Sequence, residues 1–164
     1  MAGANIERDL VALATPAANK LKAAGHTVAV AESSTAGLIS ASLVSVAGAS
    51  AYYRGGSVIY TLESRRHILG IRRSDVEGLA PMTEAMVERF AAKAREQLDA
   101  TWGIAELGIA GPTPAGYGID AGLSVIAVVG PTTITTTVNT GHNIREQNMW
   151  EFTAAALALL EAAV

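Results

Sequence analysis

The chain has 164 residues, half of them hydrophobic and only 16% charged, which is enough for one domain with a real core and too little for two. Twelve Lys and Arg against fifteen Asp and Glu give a formal charge of −3 with no basic run, so nucleic acid is not expected as a partner. The absence of cysteine excludes a disulfide scaffold, a thiol nucleophile and a thiolate metal site, and the three histidines, His26, His67 and His142, stand too far apart for a short metal-ligand motif.

Taken in chain order, residues 5–24 place Ile6, Leu10, Leu13 and Leu21 on one helical face, with Pro16 as a point of bending and Gly25 as the closing residue. HTVAVAES follows as a buried strand, and a second helix is expected from Thr35 through LISASLVSV. VAGASAYYRGG reads as a loop and SVIYT as a strand; LESRRHILG is a short helix closed by Gly70. From Met82 to Leu98 an amphipathic helix carries Met86, Phe90, Ala94 and Leu98 on its apolar face, with Thr83 as its N-cap.

WGIAELGIAG is a strand running into the glycine-rich loop GPTPAGYGIDAG, and LSVIAVVG and TTITTTVNT form an antiparallel pair turning at Gly130 and Pro131. The last helix, from Arg145 to Ala163, is expected to turn Trp150, Ala154, Leu157 and Leu160 inward. This order predicts an α/β fold of three layers, with a mixed, mostly parallel sheet between helices on both faces. No repeat, linker or low-complexity tract interrupts it. The N-terminal residues lack a secretion signal and no segment is apolar for the length of a membrane span, so the expected address is cytoplasmic, without membrane attachment.

The stretch AESSTAGLISASL is where chemistry is most legible: a strand ends in a hydroxyl-rich turn and a helix starts at once, aiming backbone N–H groups at whatever lies above. Ser33, Ser34 or Thr35 could serve there as nucleophile, ligand contact or plain N-cap. A second strand end, GIAGPTPAGYG, would lie beside the first in a parallel core, where α/β sheets gather ligands. It is neither a Walker-type phosphate loop nor a dinucleotide fingerprint, because no Lys follows the glycines and no helix opens there.

Four ordered stretches, AESSTAGLIS, VAGASAYYRGGSVIY, LGI and GIAGP, resemble the CinA C-terminal domain from about Ala31 to Gly122, and more weakly to the C-terminus. The resemblance implies an amidohydrolase of the nicotinamide-mononucleotide deamidase kind, commonly oligomeric and needing no cofactor or metal. It places the serine nucleophile at Ser33, the loop serine at Ser50, the strand tyrosine at Tyr60 and the arginine of the last helix at Arg145. The implied substrate contacts are Glu32, Ser34, Thr35, Ala36, Gly37, Ser50, Tyr53, Gly111, Tyr117 and Arg145, with N–H groups around Ser34 to Gly37 holding the oxyanion.

The chain departs from the family pattern at the lysine that pairs with the serine, which is Arg65 here, and in the glycine loop, where Leu107 stands for a serine or threonine, Thr113 for an aspartate and Ile119-Asp120 for a Lys-Pro pair. A guanidinium keeps its proton, so it is poorly suited to act as base. His67 and Glu32 are the nearest other groups by sequence. Arg65 and Arg145 are suited to hold a carboxylate or phosphate, or else form a solvated face. Tyr117 would stack on a ring or cover the loop. A non-catalytic nucleotide or small-acid binder is the competing expectation.

Overall fold

A computed structural model describes residues 8–164 apart from Tyr117, so Ile6 lies outside the described residues. Helix α1 (Leu10–Ala24) starts because the Asp9 carboxylate accepts from the amides of Val11 and Ala12, and it ends where Gly25 turns left-handed at φ 66°. It runs on through Pro16, and its buried face is Ala14, Ala17, Ala18 and Leu21. The methyl-sized side chains let it lie close to its neighbours.

Strands β1 (Val28–Glu32), β2 (Tyr53–Val58), β3 (Trp102–Ile109), β4 (Leu123–Val129) and β5 (Thr133–Asn139) form one sheet in the order β2-β1-β3-β4-β5. β1 is parallel to both β2 and β3, and β4 is antiparallel to β3 and β5, so four of the five strands point the same way. Helices α1, α2 (Leu38–Ser45) and α5 (Arg145–Ala163) cover one face, and α4 (Glu84–Gln97) covers the other. Every side chain of β1 is buried because it is central and covered on both faces. At Gly103 a Cβ would fall 2.0 Å from the Ala91 carbonyl oxygen, so α4 can lie this close to β3 only over a glycine. The expected α/β three-layer architecture is the one observed.

The differences from the expected elements have local causes. The edge strand begins at Tyr53 rather than Ser57, because Gly55 and Gly56 belong to it: a Cβ at Gly56 would meet Ser40 Oγ at 2.5 Å and the Tyr53 hydroxyl at 2.8 Å. The glycines that suggested a loop instead let α2 pack on the strand. Tyr60 therefore lies just past β2, followed by the short α3 (Leu62–His67), whose Thr61 and Ser64 form a reciprocal cap. On α5 the inward residues are Asn148, Phe152, Thr153, Ala156, Leu157 and Leu160, while Trp150 and Ala154 are half-buried. On α4 they are Val87, Phe90, Ala91 and Ala94, and Leu98 is exposed.

Candidate active site

β1 and β3 run side by side in one direction, so the turn after Glu32 and the loop after Ile109 emerge at the same edge of the sheet. Between them lies a cleft of about 320 Å³. Ser33 and Ser34, both nearly buried, form its floor; the backbone from Gly108 to Gly111 forms a wall; Tyr60, Arg65 and Arg145 form its rim.

The helix after β1 begins at Leu38, not at Thr35. Ala36 at φ 51° and Gly37 at φ 102° are left-handed, which a right-handed helix cannot continue through. The donors of this turn are also spoken for. The amides of Ser33 and Thr35 donate to Glu106 Oε2 at 3.0 and 3.2 Å, and the amide of Ala36 donates to the Ser33 carbonyl at 3.1 Å. Thr35 and Ala36 therefore do not offer the free oxyanion donors that the strand-turn-helix pattern suggested.

Two carboxylates lie beneath the floor. The register pairs Glu32 of β1 with Glu106 of β3, so both point to the same face of the sheet, and both are fully buried. Glu32 accepts from the Ile39 and Ser40 amides at 3.0 Å each and from Thr35 Oγ1 at 2.7 Å, which makes it the cap of α2. Glu106 accepts from Ser34 Oγ at 2.5 Å through Oε1, in addition to the two backbone amides, with Ser124 Oγ at 3.2 Å. Burial pushes the Glu106 carboxyl above its ordinary value; the bonds from Ser34, Thr35 and Ser33 oppose this and the charge of Glu32 adds to it.

On the rim, Arg145 donates to the Gly111 carbonyl and, at 2.9 Å, to the Tyr60 hydroxyl, tying α5 to both walls. Arg65 donates from Nε to the Ile59 carbonyl at 3.3 Å and lies over the Phe90 ring, 5.6 Å from its centroid. The glycine loop is held from behind by buried Asn148, whose amide donates to the carbonyls of Ala110 at 2.9 Å and His142 at 3.1 Å and accepts from Thr140 at 2.6 Å.

Of the residues expected from sequence, Ser33, Ser34, Tyr60, Arg65, Gly111 and Arg145 share the cleft. Others are placed elsewhere. Glu32 and Thr35 turn inward to the capping network, and Ala36 and Gly37 form the outer turn. Ser50 lies in the short 3-10 turn before β2 and Tyr53 begins that strand, both at the end of it away from the cleft, and Tyr53 packs beside Ser40 of α2. His67 is an exposed residue at the end of α3. Tyr117 lies outside the described residues. Glu106 and Asn148 were missed, although the signal was there: a lone carboxylate inside the apolar run GIAELGIAG must find partners if that strand is buried on both faces.

Among the described residues no group of three or more His, Asp or Glu is arranged around a metal, and no helix is long and apolar enough to cross a membrane. A doubly covered mixed sheet with a hydroxyl- and guanidinium-lined cleft at its strand ends is thus the class of protein at hand. The chain belongs to the CinA C-terminal domain family, whose model matches residues 11–164. A CinA-like protein of Acaryochloris marina is 38% identical over 111 residues, 68% of this chain and 26% of that protein. One from Nostoc is 34% identical over 119 residues, 73% of this chain and 28% of its own, so this chain spans about a quarter of the length of the curated relatives it matches. Among solved structures, the competence damage-inducible protein A of Klebsiella pneumoniae superposes with a TM-score of 0.85 at 27% identity, covering 94% of this chain and 96% of that one. A competence or damage-inducible protein of Enterobacter asburiae gives 0.84 at 29%, covering 96% and 99%.

Proposed function

We infer that the chain is an amidohydrolase of the nicotinamide-nucleotide deamidase type, hydrolysing the carboxamide or a related carbon–nitrogen bond of a small heterocyclic substrate. The observation that carries this reading is the convergence of serine hydroxyls, Tyr60, Arg65 and Arg145 on one cleft at the carboxyl ends of β1 and β3. A serine of the floor, Ser33 by the family correspondence, attacks the amide carbon and ammonia leaves; water then releases the acid. The guanidinium groups of Arg65 and Arg145 suit a phosphate or carboxylate on the substrate, and Tyr60, held by Arg145, orients it. A cytoplasmic address and self-association belong to the same reading.

The experiment is ammonia release from nicotinamide mononucleotide and a panel of small heterocyclic amides. Turnover on at least one of them is expected, and none on any would end the reading. Arg65 supports a second reading, a nucleotide or small-acid binder that no longer turns over, since no lysine occupies that place. A ligand that raises the melting temperature without being consumed would favour the binder. Arg65→Lys separates the two further: a large gain in deamidation marks an impaired parent site, and no gain leaves a specialised substrate.

A further inference from the structure

We propose that Ser34 and Glu106 form a serine–carboxylate dyad, with Ser34 as the attacking hydroxyl and Glu106 as the base that receives its proton. This rests on the amidohydrolase reading, moves its nucleophile from Ser33 to the neighbouring Ser34, and names the base which that reading leaves open.

Ser34 lines the cleft while its Oγ lies 2.5 Å from Glu106 Oε1, within the distance over which a proton passes directly. Ser33 meets the same carboxylate through its backbone amide, which donates to Glu106 Oε2 at 3.0 Å. The fold also makes room for the pair. A Cβ at Gly108 would come within 2.2 Å of Ser34 Oγ and 2.4 Å of Glu106 Oε1, so the two oxygens occupy the space which a glycine leaves in the cleft wall. The other carboxylate oxygen is fixed by the Ser33 and Thr35 amides, which holds the carboxyl plane while leaving Oε1 to Ser34 and Ser124. A carboxylate deprived of water is a stronger base than one in solution, and burial shifts Glu106 in that direction.

In the reaction the Ser34 O–H bond breaks and its proton moves to Glu106 Oε1 as Oγ bonds to the amide carbon, the carbonyl electron pair passing to oxygen. Collapse breaks the C–N bond, and the proton on Glu106 returns to the departing nitrogen, giving ammonia and a Ser34 ester. Water then attacks the ester, gives its proton to Glu106, and the proton returns to Ser34 as the acid leaves. The charged group that faces Glu106 is Glu32 on β1; β4 offers Ser124 and the turn offers Ser34 and Thr35, all uncharged, while Arg65 and Arg145 stand on the rim.

The test uses the full chain and a fluorophosphonate probe, which a nucleophilic serine displaces fluoride from, with the adduct located by mass spectrometry. An adduct on Ser34 is expected, with a labelling rate that climbs with pH as Glu106 ionises. Glu106→Gln can keep the same contacts, its carbonyl facing the two amides and its amide facing Ser34 and Ser124. That variant should melt no lower than the wild type, lose the pH dependence, and lose labelling and amide turnover by about 100-fold or more. An adduct on Ser33, no adduct on Ser34, or wild-type rates in Ser34→Ala or Glu106→Gln would overturn the dyad. Labelling at Ser34 with no amide hydrolysed would sink the amidohydrolase reading instead and leave the dyad standing.

Discussion

Glu32 and Glu106 are the same residue type, paired in register on neighbouring strands, facing the same side and equally buried, yet they are used differently. Glu32 spends its oxygens on the first amides of α2 and on Thr35, all of them groups that need an acceptor once the helix is packed. Glu106 holds the turn by one oxygen and presents the other to a hydroxyl that opens on the cleft. Burial does not separate the two. What separates them is where the hydroxyl each one meets is placed: Thr35, on Glu32, is sealed in the interior, and Ser34, on Glu106, lines the cleft.

The largest expected effect breaks this comparison on the side of stability. Glu32→Ala leaves the Ile39 and Ser40 amides without their acceptor and the Thr35 hydroxyl with only Glu106 Oε2 at 3.2 Å, and should lower unfolding free energy by about 3 kcal/mol. Glu106→Gln keeps its contacts and should stay within about 1 kcal/mol of the wild type. Urea denaturation of both variants measures the gap, and equal losses would mean that both carboxylates are structural. Next in size, Gly108→Ala forces a methyl group against Ser34 Oγ and Glu106 Oε1 and should cost about 2 kcal/mol, with loss of amide turnover. Unchanged turnover in that variant would show that the Ser34–Glu106 contact is not used. Smaller again, Arg145→Ala removes the tie between the Gly111 carbonyl and Tyr60 at an exposed helix start. It should raise KM about tenfold, or about 1.4 kcal/mol, and leave the melting temperature within a few degrees. A fall in kcat with KM unchanged would move Arg145 from substrate binding to the chemical step.

The sequence carried the architecture well because its period changes are sharp. VAVAE and LSVIAVV can only be buried strands, and Thr83 and Gly25 mark helix ends by chemistry that the structure reproduces. It misled where a residue type has two uses. Gly55 and Gly56 read as a loop and are a strand under a helix; Thr35 reads as a helix start and is a buried hydroxyl bonded to Glu32. The cleft was legible as two strand ends meeting, and the family pattern supplied Tyr60, Arg65 and Arg145. Glu106 was not read out because its meaning depends on register: only the alignment of β1 with β3 brings it under the serine turn, 72 residues away from Ser34. That Ser50 does not line this cleft was not legible for the same reason, since nothing in its neighbourhood says that β2 carries the chain away from it before the cleft is reached.

The smallest effect is the dependence of stability on pH, and it sets Glu106 apart from another carboxylate, Glu84 of α4, without any substrate. Burial raises the Glu106 pKa in the folded protein above its ordinary value of 4.5, so the folded state binds that proton more tightly than the unfolded chain does. The resulting stability is complete below about 4.5 and is lost as pH rises through the folded-state value. Glu84 has the opposite sign: Thr135 and Thr137 donate to it and lower its pKa, so its contribution is present above 4.5 and lost as pH falls further. The two windows therefore lie on either side of the ordinary carboxylate range. Unfolding free energies of wild type and Glu106→Gln should run parallel below that range and diverge above it, with the variant gaining on the wild type as pH rises. Curves that stay parallel to neutral pH would mean that the hydrogen bonds to Glu106 from Ser34, Thr35 and Ser33 offset its burial in full.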